Sequence, residues 1–348
     1  MRGARIPTEP FLTPGPAVRA VAGLISGAST RAVGANVVAV NVTWRALTID
    51  DAADITVLNN LVAAADGTGE VTTEQATAES FTRPRFDPEH DTIGMWHDGT
   101  LVGAGSVSYR EELVDGRALM GVHGHIHPDH RGRGLGARLL TWLQDRAITL
   151  ARERFPGAPI RLRTSGGQAD SSAQRLLEAF EYTPDNYFIT MEADLTSWVD
   201  PGTPTTAVAP GPADRDGLRE AHNDAFRDHR NHSPISADSW SHFSTASTLR
   251  PELSRIVRES GRVLAYAVAG EYQPGVVHID LVGTRREARG RGLAKDVLVA
   301  ALRAARDAGY RTSELEVDST SPTGADRLYR SVGYEPVRVI SRYIRDVA

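Results

Sequence analysis

At 348 residues the chain is longer than one hydrophobic core usually supports, and its 41% hydrophobic and 24% charged content suits an ordinary soluble protein of two domains. A net charge of −5 offers no broad basic surface for nucleic acid, and no apolar run approaches the roughly 20 residues of a membrane span. The absence of cysteine removes disulfides, thiolate metal sites and a cysteine nucleophile together, so acyl chemistry here is direct or uses another nucleophile.

Residues 1–40 are rich in Ala, Gly, Val and Pro, and Arg19 and Arg31 interrupt the apolar stretch after Arg2 and Arg5. A secretory signal needs a clean apolar core and a small-residue cleavage site. The segment is read as a loosely ordered extension or a mis-assigned start, and the location as cytoplasmic. A strand is expected over 37–46 and a helix, opened by an acidic cap, over 50–65. Strands over 92–97 and 101–109 are joined by the Asp98-Gly99 turn. Strand 120–126, helix 134–154, strand 159–163, helix 169–180 and strand 187–193 follow. Proline and glycine crowd residues 200–212 and mark a linker, which places a first domain at 41–198 and a second at 203–348. The second repeats the order: helix 213–228, strands 263–272 and 276–282, helix 292–308, strand 313–317, helix 324–332 and strand 339–345. This order predicts a mixed α/β sheet with helices on both faces.

The halves also repeat in their residues. Arg131-Gly132-Arg133-Gly134-Leu135 returns as Arg289-Gly290-Arg291-Gly292-Leu293, an offset of 158 residues (131 to 289). Downstream, Arg175-Leu176-Leu177 is answered by Arg327-Leu328-Tyr329, and Tyr182 by Tyr334. Glycines in such a loop let successive N–H groups point into one concavity. The helix start adds unpaired donors and partial positive charge, which together hold a pyrophosphate without a metal, and neighbouring Arg or Lys adds charge-assisted contacts. Two other readings are weaker. Gly132-x-Gly134-x-x-Ala137 formally fits a dinucleotide fingerprint with Glu153 as ribose partner, but residues 127–130 separate it from the strand and Lys295 replaces the small third residue in the second copy. A turn that only caps a helix is the other, and two copies in matching contexts argue against it.

The run Ile126-His-Pro-Asp-His-Arg131-Gly-Arg-Gly-Leu-Gly136 resembles motif A of the GCN5-related N-acetyltransferases (GNAT), and the run from Thr284 to Ala294 is similar. Leu328-Tyr329-x-x-x-Gly333-Tyr334 resembles a later signature of that family. The resemblance implies two tandem GNAT domains, each a mixed, mostly antiparallel twisted sheet with helices on both faces. It implies acetyl-CoA as acyl donor, held at Arg131, Gly132, Arg133, Gly134, Leu135, Gly136 and Ala137, and at Arg289, Gly290, Arg291, Gly292, Leu293, Ala294 and Lys295. It further implies main-chain contacts to pantetheine and thioester from Gly124, His125 and Ile126, and from Val282, Gly283 and Thr284. Two such domains in an arginine-rich chain also resemble the mycothiol synthase branch of the family, and the run from Asn223 to His229 adds to that likeness.

Acyl transfer to an amine needs a neutral amine, a donor for the oxyanion and a proton for the departing thiolate. The family places a tyrosine near the CoA sulfur; Tyr329 matches it as acid, the alternative being a packing tyrosine. The first half has Leu177 there and Glu181 in place of Gly333, so catalysis is expected in the second domain. On strand 276–282, Val277, Ile279 and Leu281 share one face, and His278, Asp280 and Val282 the other. His278 or Asp280 accepts the amine proton, directly or through water, or both only bond neighbouring loops. Glu314, Glu316 and Asp318 alternate similarly and either recognise a cationic substrate or face solvent.

In the first half, His123, His125 and His127 share a face, but same-face neighbours lie about 7 Å apart, so tetrahedral ligation is strained and no metal is expected. They are read as structural histidines, with an acid/base role as the alternative. Gapless alignment sets His123 opposite Leu281, so the polar faces coincide only if one strand bulges. The function expected is transfer of an acetyl group from acetyl-CoA to the primary amine of a small molecule. The alternatives are a mycothiol synthase-like enzyme and a CoA-binding sensor without turnover. The acceptor pocket is expected from 71–88 and 233–250, which carry no readable motif, and a homodimer is left open.

Overall fold

The structure is a computed structural model that describes residues 41–229, 232–320 and 324–347; the expected extension over 1–40 and the start of the expected strand 37–46 lie outside them. Within the described residues the first strand is β1 (Thr43–Arg45). Helix α1 (Ala52–Asp66) follows Asp51, but the expected acidic cap does not bond the helix: the Asp51 carboxylate reaches back instead, accepting from the Thr48 N–H at 2.9 Å and pairing with Arg45 at 2.6 Å. Two short helices follow, α2 (Glu74–Ser80) and α3 (Pro88–Asp91). The hairpin of β2 (Thr92–His97) and β3 (Thr100–Tyr109) turns through Asp98 and Gly99, both at positive φ as an Asp-Gly turn requires. Then come β4 (Ala118–Ile126), α4 (Leu135–Arg154), β5 (Ile160–Gly167), α5 (Ser172–Ala179) and β6 (Thr183–Asp194).

The second half runs α6 (Arg215–Ala225), α7 (Ala237–Ser244), β7 (Arg255–Glu259), β8 (Arg262–Gln273), β9 (Val276–Thr284), α8 (Leu293–Asp307), β10 (Thr312–Asp318), α9 (Ala325–Arg330) and β11 (Glu335–Val347). The elements expected from periodicity are present with shifted ends. Helices α2, α3 and α7 and strand β7 are additions, because segments this short and polar show no clear period. Helices α2 and α7 begin instead at hydroxyl caps: Thr73 accepts from the Ala76 N–H at 3.1 Å, and Ser236 from the Ser239 N–H at 3.3 Å.

Among the described residues eleven strands form one mixed, mostly antiparallel sheet in the order β1-β2-β3-β4-β5-β11-β6-β10-β9-β8-β7, in which only β4 with β5 and β9 with β10 run parallel. Helices cover both faces. On α4 the stripe Leu135, Leu139, Leu143, Ala147 and Leu150, spaced three to four residues apart, is buried against one face. Ala104 of β3 packs with Leu58 of α1, whereas a Cβ on its neighbour Gly105 would meet Leu143 of α4.

The strand order shows an exchange. The last strand of the second half, β11, lies between β5 and β6, and β6 lies between β11 and β10. Each brings core residues with it: Tyr343 is buried in the first half's core, and Met191, Ala193 and Leu195 in the second's. Large apolar side chains buried this fully contribute about 1.5–3 kcal/mol each. Neither core is complete without the other half's final strand.

Candidate active site

The two parallel pairs part at equivalent points. Strand β4 pairs with β5 from Ala118–Ile160 to Gly121–Arg163, and β9 with β10 from Val276–Thr312 to Ile279–Leu315; beyond that the strands diverge. One edge of Gly124–Ile126 and of Val282–Thr284 still pairs, with β3 and β8 respectively. The other edge faces the parting, where its main-chain groups are free to meet a ligand. The glycine loops stand at the mouth of each parting. Gly132 (φ 73°), Gly134 (φ 77°), Gly290 (φ 76°) and Gly292 (φ 77°) are left-handed, and a Cβ built on any of them meets nothing within 4 Å. Gly134 and Gly292 are the N-caps of α4 and α8, so unpaired helix N–H groups open onto this space.

In the first half the parting is a cavity of about 710 Å³, lined by the loop glycines, His125, Ile126, Asp66 and the start of α5. In the second, the buried Thr284 hydroxyl has no partner. Both features fit an extended ligand ending in a diphosphate.

The arginines heading the loops are held by protein partners, Arg131 in the wall of that cavity. Arg131 donates to both Asp66 carboxylate oxygens at 2.6 and 3.0 Å and to the Ile126 carbonyl at 3.2 Å. Arg289 donates to Asp228 at 3.1 Å and to the Ala225 carbonyl at 2.8 Å. Each therefore ties its glycine loop to the end of the half's first helix. Arg291 pairs with Glu259.

A second repeated clamp escaped the sequence reading. Asn60 exchanges two hydrogen bonds with the main chain of Thr72, at 3.0 and 2.9 Å, and Asn223 does the same with Ile235, at 3.1 and 2.9 Å. The offset is 163 residues (60 to 223), and the caps Thr73 and Ser236 share it. That second register was the available signal.

Strand β9 bulges. Val268 pairs with Leu281 but Ala269 with Ile279, so Asp280 is the extra residue. The face expected for Val277, Ile279 and Leu281 is corrected accordingly. Val277 and Ile279 enter the core beneath α8, Val282 joins them, and Leu281 packs with the Leu218–Trp240 cluster of α6 and α7. Strand β4 pairs regularly, so the single bulge accounts for the mismatch between His123 and Leu281.

His278 and Asp280 meet at 2.7 Å, and the Tyr272 hydroxyl donates to Asp280 at 3.2 Å. Burial acts to lower the His278 pKa, but the hydrogen bond and charge of Asp280, with Glu316 and Glu314, raise it above its ordinary value. Glu314 is bridged to Glu192 through Arg338, at 3.2 Å on each side. Burial raises the Glu316 carboxyl.

Tyr329 lies on the other face, in the core beneath α8 with Val282 and Leu293, and is 8% exposed. Burial pushes its phenol up to about 12, so it holds its proton at neutral pH. The turn from Tyr329 to Tyr334 repeats one in the first half: the Tyr334 N–H bonds the Tyr329 carbonyl at 3.1 Å, as the Tyr182 N–H bonds that of Leu177 at 3.0 Å. Leu177 is buried at the equivalent place, and Glu181 takes the left-handed φ (63°) where Gly333 stands at 102°. Tyr329 and His278 have different surroundings, the one in the apolar core beneath α8 and the other among Asp280, Glu316 and Glu314.

The three histidines of the first half separate. His123 reaches Ser108 at 3.3 Å and lines two cavities; burial, then Arg83 and Arg342, lower its pKa to about 4. His125 lines the 710 Å³ cavity. His127 caps the next turn, accepting from the Asp129 N–H at 3.3 Å. Among the described residues no group of three His, Cys, Asp or Glu is placed to hold a metal ion, and no helix is long and apolar enough to cross a membrane.

The Acetyltransferase (GNAT) family model matches residues 60–160 and 215–334. The mycothiol acetyltransferase of Stackebrandtia nassauensis is 28% identical over 248 residues, 68% of this chain and 76% of that protein. The crystal structure of a GCN5-related N-acetyltransferase from Sphaerobacter thermophilus is similar at 25% identity and a TM-score of 0.68, over 88% of this chain and 95% of that one. A tandem GNAT protein from the clavulanic acid biosynthesis pathway shares the fold at 16% identity and a TM-score of 0.63, over 88% of this chain and 98% of that one. With two matched regions, two glycine loops and two parted strand pairs, the chain belongs to the acetyltransferase (GNAT) family and is an N-acetyltransferase that takes its acyl group from an acyl-CoA.

Proposed function

We propose that the second half moves an acetyl group from acetyl-CoA directly to the primary amine of a small molecule in the cytoplasm. The observation that carries this reading is the His278–Asp280 pair, held at 2.7 Å where β9 leaves β10. His278 takes the proton from the amine, directly or through water, and Asp280 orients the ring. The amine nitrogen attacks the thioester carbonyl carbon, and N–H groups on the open edge of β9 receive the charge on its oxygen. The C–S bond then breaks, and the Tyr329 phenol gives its proton to the sulfur. A thioester threaded through the parting would have His278 on one side and Tyr329 on the other. Glu314 and Glu316 make that side acidic, which suits a cationic amine.

The main chain of 290–295 and 282–284 is proposed to hold the donor, with 131–137 and 124–126 as its counterpart in the first half. Leu177 offers no proton there, so the first half (41–198) is read as lacking this chemistry and the second (203–348) as carrying it. Kinship with a mycothiol acetyltransferase supports acetyl as the group moved and a small molecule as its acceptor.

Thiol release from acetyl-CoA, measured with a panel of small primary amines including an amino-sugar thiol, tests the reading. His278→Gln is expected to lower kcat by about 10²–10⁴-fold, and Tyr329→Phe to lower kcat more than it raises KM. Tight CoA binding without product from any amine would sink the catalytic reading and leave a sensor.

A further inference from the structure

A second cavity, of about 560 Å³, lies against the first half's donor groove and shares His123, Thr164, Ser165 and Arg342 with it. Its other walls come from the segment before β2, from β5 and β11, and from the loop before α7. Five guanidinium groups line it; Arg85 is paired with Glu111, and the other four are Arg83, Arg110, Arg163 and Arg342. None of the four forms an ion pair among the described residues. Arg163 and Arg342 both stand over the Phe188 ring, at 6.0 and 5.0 Å from its centre.

Two carboxylates also line the cavity, but both are taken. Asp91 pairs with Arg146 at 2.9 Å, and Glu111 accepts from Arg85, Ser236 and Ser239. Asp185 and Asp318 lie within electrostatic reach of Arg163, and Asp318 is already bonded by Asn186 at 2.8 Å and by Thr320. Arg83 Nη2 and Arg163 Nε are buried donors with no hydrogen-bond partner among the described residues.

Unpaired buried polar groups are costly, and unpaired buried charges more so. Guanidinium does not shed its proton to relieve the cost. Burial does lower the pKa of Arg83, Arg110 and Arg163, which marks how far solvent has been withdrawn from them. A cavity built this way is completed by an anion that accepts from the forked donors.

We propose that this cavity binds a small molecule carrying a carboxylate or phosphate group, with its anion among Arg83, Arg110, Arg163 and Arg342 and its other end toward His123 and the donor groove. The cavity has no lining residue in common with the His278–Asp280 pair, and its sign is opposite to that of Glu314 and Glu316, of which Glu316 also feels the charge of Arg342. One site would recognise a cation, and the other an anion.

Calorimetry of the full chain with O-phosphoethanolamine, β-alanine and ethanolamine tests this, since the three share an amine on a two-carbon stem and differ in charge. One or both of the anionic probes should bind at least tenfold tighter than ethanolamine; which one does so identifies phosphate or carboxylate as the source. The Arg83→Gln/Arg163→Gln double variant should lose that margin while still binding CoA, and the anionic probe should raise the melting temperature of the parent chain but not of the variant. Three probes of equal affinity, or a margin retained in the variant, overturn the proposal. So does competition between CoA and the anionic probe, which would assign the arginines to the donor's own phosphates. His278→Gln should abolish turnover without touching the margin, so the two readings fail separately.

Discussion

His278 shows how competing local effects decide a residue's chemistry. Burial favours the neutral ring, yet the bond to Asp280 and the charges of Asp280, Glu316 and Glu314 win and hold the pKa above 6.5. The base must be neutral to act, so kcat/KM should rise with pH through this raised value. Asp280→Asn removes the largest favourable contributor and should move that limb to lower pH. A limb that stays put or moves upward would remove His278 as the base. Stability has the opposite slope: the imidazolium is the favoured form in the fold, so its contribution is full below 6.5 and fades as pH climbs past the raised value. The pair itself was legible as a polar alternation in the sequence. Its geometry was not, because the bulge at Asp280 changes the side-chain period by one residue and nothing in Val276–Thr284 announces it.

At the level of elements, the glycine loops depend on ties to the helices that precede them. Arg131 to Asp66 and Arg289 to Asp228 fix the loop, while Asn60 and Asn223 fix the segment that leaves the same helix. Asn223→Ala strands an N–H and a carbonyl at Ile235 and should cost about 1–3 kcal/mol. A lowered melting temperature with weakened acceptor binding is the expected result; an unchanged melting temperature would show that water replaces the clamp. Glycine loops and long apolar helices were readable because their signals are local: φ demands and a three-to-four residue spacing. Helices α2 and α7 were not, since seven or eight mostly polar residues have too little apolar surface to set a period. Their caps and the 60-to-223 offset carried the information, in a register different from that of the glycine loops.

For the whole molecule, the exchange of β6 and β11 makes folding of the two halves interdependent. Deleting 341–347 should strip β5 of its antiparallel partner and remove Tyr343 from the first core, although the two strands are far apart in sequence. Amide exchange in Ile160–Gly167 should accelerate well beyond that in β3; protection of β5 equal to that of the intact chain would refute the dependence. The same exchange delivers Arg342 to the cavity between the halves.

The order of the long strands and helices, the duplicated glycine loops, the Leu177–Tyr329 contrast and the absence of cysteine were all determined by the sequence alone, because each rests on residue type or on spacing within one element. Which half supplies which strand, how four arginines from distant segments converge, and which faces His278 and Tyr329 occupy were decided only in the tertiary structure. Strand partners and cavity walls are chosen by packing between segments far apart in the chain, and local periodicity holds no record of that choice.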